Sequence, residues 1–210
     1  ITVATQRAWT EALGSIGLPH QLSTVDDCTA EEKYALLIAA RAELVAADRP
    51  TDCPFPPRVL TARLGQLTIT GIHPPWNIEE GGREFYAWLR RATAPALTTS
   101  SVIIGDFNAD PDEAVAEHAQ LGPCVKDLID AGWRHALKEV DPKGDHASTF
   151  WDVGPRAIDH CLLAPVGSLE LVGARIVGPS PGVPMPGEGF DIEKVELSDH
   201  RPIVVDLRLG

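Results

Sequence analysis

Hydrophobic positions recur at helical spacing over residues 5–16, where Ala8, Trp9, Ala12, Leu13 and Ile16 share a face and Gly17 supplies a stop. Residues 34–40 form a short, nearly continuous apolar run, the pattern of a buried strand. Residues 58–64 and 67–72 flank Gly65-Gln66, a two-residue hairpin signal. Phe85, Trp88, Leu89 and Ala92 define an amphipathic helix over 84–94. A second buried strand, 101–105, runs into the polar loop 106–111. Val125, Leu128 and Ile129 predict a short helix stopped at Gly132. Residues 149–151, 157–163 and 169–177 read as three strands. The Pro/Gly-rich segment 178–189 is expected to be a surface loop near a site, and 202–207 closes the chain as a strand. Strands dominate, helices intervene and hairpins occur, which predicts a mixed sheet in an α/β layered sandwich. There is no repeat and no linker, so residues 1–210 are expected to form a single domain.

Composition agrees with this picture. A chain of 210 residues and 22.6 kDa is long enough for a substantial core. Hydrophobic residues at 44% and charged residues at 23% exclude disorder and coiled coil, and no apolar stretch is long enough for a membrane-spanning helix. The net charge of −12 removes any general attraction to nucleic acid or anionic lipid, leaving a local basic patch or a bound cation as the means of binding either. The chain starts at Ile1 and its one methionine is Met185, which suggests a processed or incompletely represented product. There is no Cys-x-x-Cys pair to hold zinc. Cys161 lies in an apolar run and is expected to be a buried thiol. Cys28 and Cys53 sit in turn-rich segments and are the candidates for a disulfide. Such a pair would favour a secreted or cell-surface location over the cytoplasm.

Candidate chemistry gathers where apolar strands end or are interrupted. Ile72-His73, Gly105-Asp106-Phe107-Asn108, Ile158-Asp159-His160 and Leu197-Ser198-Asp199-His200 all place carboxylates, amides or imidazoles there. Buried charge without compensation costs several kcal/mol, roughly, so four such places in one small domain imply convergence on one polar cleft. Carboxylates and an Asn carbonyl are hard donors suited to Mg²⁺ or Mn²⁺, with Ca²⁺ a further candidate. Histidines near them can move protons, and an Asn amide can stabilise charge on a phosphoryl oxygen.

Gly105-Asp106-Phe107-Asn108-Ala109-Asp110, Ile158-Asp159 and Ser198-Asp199-His200-Arg201-Pro202 together resemble the signature elements of the endonuclease/exonuclease/phosphatase superfamily, and the local wording resembles deoxyribonuclease I. Residues 32–41, His73-Pro74-Pro75 and Ser148-Thr149-Phe150-Trp151 extend the resemblance, which covers about residues 32–207. It implies a four-layer α/β/β/α sandwich with two central mixed sheets. The implied activity is metal-dependent hydrolysis of DNA or RNA phosphodiesters by in-line attack of water. The same resemblance implies that Asp106 positions the water and Asn108 stabilises the transition state. His200 would be oriented by Asp159 and His73 by Glu32, while Asp199 and Asp106 would hold metal. Arg41 and Arg58 would contact the nucleic-acid backbone. The family's opening Asn and the following Gln-Glu have no counterpart here, so one or two N-terminal strands are expected to be missing from this sequence. Two other functions stay open at this point: hydrolysis of a phospholipid, inositol phosphate or other small phosphoester, and a degenerate, non-catalytic binding domain. His20, His118, His135, His146 and His160 are expected to be structural or surface residues, with His160 facing the side of its sheet opposite Asp159.

Overall fold

The computed structural model describes residues 1–29, 34–48, 52–112, 120–144, 146–151, 154–166, 169–177 and 200–210. Its helices are α1 (Gln6–Ser15), α2 (Gly82–Thr93), α3 (Gly122–Asp130) and α4 (Ala136–Val140). Its strands up to the first long loop are β1 (His20–Ser23), β2 (Leu37–Ala40), β3 (Val45–Ala46), β4 (Val59–Leu64), β5 (Leu67–Ile72) and β6 (Ser101–Asp106). The rest are β7 (Arg134–His135), β8 (Thr149–Trp151), β9 (Gly154–Arg156), β10 (Asp159–Leu163), β11 (Leu169–Ile176) and β12 (Ile203–Leu209).

Six strands form one mixed sheet in the order β3-β4-β5-β6-β10-β7. The hairpin β4–β5 turns at Gly65, whose φ of +59° suits glycine. β5 then pairs parallel with β6, and α2 makes the crossover between them. The two faces of this sheet are buried differently. Ile103 and Leu162 point to the side covered by α2 and α3, where they join Phe85, Trp88, Leu89, Val125 and Leu128. Val102, Cys161 and Leu163 point to the other side and meet Leu169, Leu171, Val205 and Leu207 of the antiparallel ribbon β11–β12. A second ribbon, β1–β2, lies over the same side: Ile38 packs 3.7 Å from where a side chain on Gly71 would sit. Outside that ribbon runs α1, joined to it by Gln6 Nε2 donating to Ser23 Oγ and Gln21 Nε2 donating to Thr10 O. The layers are therefore helix, sheet, β ribbons and helix, the expected α/β/β/α order. In the described part of the second β layer, strand pairing is antiparallel rather than mixed.

Several local expectations shift. The apolar run 34–40 becomes the four-residue β2, half-buried because only one face of its ribbon meets the sheet, and Tyr34 stands exposed before it. The strand expected over 157–163 starts two residues later, as β10 over Asp159–Leu163. Trp9 and Ile16 of the predicted helical face are exposed. Cys161 is buried as expected, and burial pushes its thiol up to about 12. Cys28 and Cys53 do not form the expected disulfide. The Cys28 thiol is directed at the carbonyls of Thr24 and Tyr34, at 3.5 and 3.7 Å, while Cys53 packs against the core under α2. The loop 178–189 lies outside the described residues.

Candidate active site

Strand register builds the cluster. Parallel β5 and β6 end together, with Ile72 opposite Gly105, so His73 and Asp106 leave the sheet side by side. Antiparallel β10 sets Asp159 directly opposite Asp106. By the two-residue period of a strand, Asp106 and Asp159 share the face of Val102 and Cys161, toward the second β layer. His200 reaches them from the segment before β12. It bridges Thr149, and the adjacent Arg201 N–H donates to Ser148 O at 2.6 Å.

The resulting geometry is compact. His73 Nε2 lies 3.7 Å and His200 Nε2 3.8 Å from the same oxygen, Asp106 Oδ2. His200 Nδ1 is 2.8 Å from Asp159 Oδ2, which fixes the ring and leaves Nε2 facing Asp106. Asp159 is itself anchored, its backbone N–H donating to Ser148 Oγ at 3.1 Å. Burial and then the Arg58 charge lower the His73 pKa to about 4, against an opposing pull from Asp159. His73 is therefore a neutral imidazole near pH 7.

The loop after β6 is tied at Phe107, Asn108 and Ala109. Gly105 has φ +148° and comes so close to β5 that a Cβ there would lie 2.1 Å from Ile72 O. Asn108 has φ +51°, a left-handed conformation that Asn tolerates. Its N–H donates to Asp106 Oδ1 at 2.7 Å, and its Nδ2 donates to Pro74 O at 2.9 Å. Asn108 thus links the loop carrying Asp106 to the segment carrying His73. On the helix side, the Tyr86 hydroxyl donates to Phe107 O at 2.6 Å and His160 Nε2 donates to Ala109 O at 2.8 Å. His160 Nδ1 is consequently an acceptor, filled by His135 Nε2–H at 2.9 Å, and His135 Nδ1 in turn accepts from Lys138 N.

Of the residues expected at the site, His73, Asp106, Asn108, Asp159 and His200 come together. Arg58 is close, but its guanidinium is engaged by the carbonyls of His73 and Pro74, at 3.2 and 3.5 Å. Through Nη1 it braces that segment. Arg41 does not come near. It is exposed past the end of β2 opposite Tyr34, about 20 Å along extended chain from the Tyr34 ring, which packs edge-on against His73. Glu32 and Asp199 lie outside the described residues. His160 faces away from Asp159, as the strand period requires. Its role in holding Ala109, and those of His135 and Tyr86, are not visible in the sequence, because each depends on a partner from a distant strand or helix. Among the described residues no three ligand-type side chains converge as a metal cage. Asp106 does supply a hard carboxylate oxygen in a half-buried cleft. That suits a cation such as Mg²⁺, which uses one or two carboxylates and keeps several waters.

No family model matches the sequence, and no curated protein is similar to it. Solved structures are similar in fold. A 3′-5′ exonuclease (NExo) from Neisseria meningitidis superposes with a TM-score of 0.68 at 19% identity, covering 94% of this chain and 82% of that one. An AP endonuclease from Archaeoglobus fulgidus gives 0.68 at 15% identity, covering 95% and 83%. An endonuclease/exonuclease/phosphatase from Beutenbergia cavernae DSM 12333 gives 0.61 at 18% identity, covering 97% of this chain and 57% of that one. Together with the layer order and the strand ends that gather the cluster, these show that the chain has the deoxyribonuclease I-like fold of the endonuclease/exonuclease/phosphatase superfamily.

Proposed function

We propose that this protein is a divalent-cation-dependent phosphodiesterase that hydrolyses nucleic acid. The observation that carries the proposal is the pair of imidazole Nε2 atoms within 4 Å of one Asp106 oxygen, one of the two rings held by a second carboxylate. The fold it shares with an exonuclease and an AP endonuclease supports the same reading.

In this reading Asp106 positions the attacking water for in-line displacement at phosphorus. His73, neutral near pH 7, accepts a proton at Nε2. Asp159 holds the His200 ring through Nδ1, so that Nε2 is the atom from which a proton passes to the departing oxygen. The second N–H of the Asn108 amide donates to a phosphoryl oxygen as charge builds there. Asp106, with Asp199 as the expected second ligand, would hold Mg²⁺ or Mn²⁺. The cation would neutralise charge on the phosphoryl oxygens. Glu32 is the expected partner for His73.

The test is hydrolysis of single- and double-stranded DNA and RNA in Mg²⁺ or Mn²⁺. Asp159→Asn should lower kcat about 100-fold or more while the urea midpoint stays near that of the parent. Failure to cleave any nucleic acid would overturn the proposal. The net charge of −12 favours a second substrate class, a phospholipid or small phosphoester. Cleavage of inositol phosphates or phospholipid in the same panel, without cleavage of nucleic acid, would support it. No hydrolysis of any phosphoester would leave the fold as a binding domain.

A further inference from the structure

Trp76 stands out on the segment that leads away from His73. It is 60% exposed, three residues after His73, and separated from it by two buried prolines. An exposed indole offers a broad, flat apolar face to a partner. This one is also held in place. Its Nε1–H donates to Glu80 Oε1 at 2.6 Å, and Glu80 N–H donates to Asn77 Oδ1 at 2.8 Å. An indole N–H lies in the ring plane, so this bond fixes the ring from its edge and does not occupy its faces. The segment that carries Trp76 is rigid for three reasons. Pro74 and Pro75 restrict the backbone, Arg58 is bonded to His73 O and Pro74 O, and Asn108 Nδ2 is bonded to Pro74 O. Trp76 is thereby registered against Asn108 and His73. A second exposed aromatic, Tyr34, packs edge-on against the His73 ring, their centroids 5.8 Å apart.

Charge narrows what these rings can meet. The chain has 18 basic and 30 acidic residues. Arg58 Nη1 is bonded to backbone carbonyls, and Arg41 is at the far end of β2. With acidic residues in excess, the chain offers little general attraction to a long run of phosphates. A flat base face presented to an aromatic ring needs no positive charge, and every base offers one.

We propose that Trp76 is a stacking platform for an unpaired nucleobase next to the scissile phosphate, with Tyr34 as a second aromatic contact. The substrate is then a single strand, or an end or lesion with an unpaired nucleotide, and an intact duplex is a poor ligand. This inference rests on the phosphodiesterase reading.

The experiment uses the Asp106→Asn protein, in which turnover should be slowed about 100-fold or more, titrated in Mg²⁺ with a labelled eight-nucleotide deoxythymidine strand and with the same strand in duplex. The single strand should bind more tightly than the duplex. Adding Trp76→Ala should weaken single-strand binding roughly 5- to 150-fold, and Trp76→Phe should restore most of it. Binding should quench tryptophan fluorescence, and the quench should disappear in Trp76→Phe. Equal urea midpoints would show that these surface changes leave the fold intact. If the wild-type protein cleaves nucleic acid but Trp76→Ala binds the single strand as tightly as its parent, or duplex binds equally well, the stacking inference is overturned by itself. If the wild-type protein cleaves no nucleic acid, the phosphodiesterase reading fails first.

Discussion

His160→Leu removes two buried hydrogen bonds at once. Ala109 O loses its donor, and His135 Nε2–H loses its acceptor. Ala109, His135 and His160 are all buried, so water cannot readily replace either partner. Each orphaned group costs about 1–3 kcal/mol, giving about 2–6 kcal/mol in total. That is a large part of the roughly 5–15 kcal/mol by which a domain is stable, and should lower Tm by something on the order of 10 °C. Activity should fall further than stability suggests, because Ala109 is the neighbour of Asn108. His160→Gln places an amide N–H close to the lost Nε2–H, so it should recover roughly half of the stability. Urea unfolding and thermal melts of the three proteins provide the assay. A leucine variant within about 0.5 kcal/mol of the parent, or a glutamine variant as damaged as leucine, would refute the reasoning.

Acid should weaken the same region. Burial lowers the pKa of His135 to about 3 and lowers that of His160 as well. Below pH 6.5 the unfolded chain takes up protons that the folded chain refuses, so stability falls as pH drops and stops falling near the folded pKa. His135 alone should remove about 2 kcal/mol between pH 7.5 and pH 5, measured by urea unfolding; a flat profile would contradict this. Gly105→Ala should be severely destabilising or fail to fold, since its Cβ would press to 2.1 Å from Ile72 O at a positive φ; a soluble variant with a parental melt would contradict that packing.

Much of the fold is legible in the chain because its signals are local. The run ending at Gly105, the glycine turn at Gly65 and the spacing of Phe85, Trp88 and Leu89 each identify an element without reference to the rest of the molecule. The acidic and histidine residues at strand ends point to a cleft for the same reason: a carboxylate beside an apolar strand needs a partner. What is not legible depends on pairing at a distance. His20–Ser23 has no strand pattern of its own, and becomes β1 because Leu37–Ala40 supplies its hydrogen bonds. His135 and His160 lie 25 residues apart in sequence and meet only because β7 and β10 are neighbours. Arg41 follows an apolar run whose start adjoins the cluster, yet the strand carries it to the opposite end.

The central claim is that Asp106, flanked by two imidazoles, is the centre of phosphodiester hydrolysis. It is tested most directly by single-turnover cleavage of an end-labelled oligonucleotide in Mg²⁺ by the parent protein and by Asp106→Ala, with matched urea midpoints. The predicted result is cleavage by the parent and a loss of about 100-fold or more in the variant. Equal rates in the two proteins would contradict the claim.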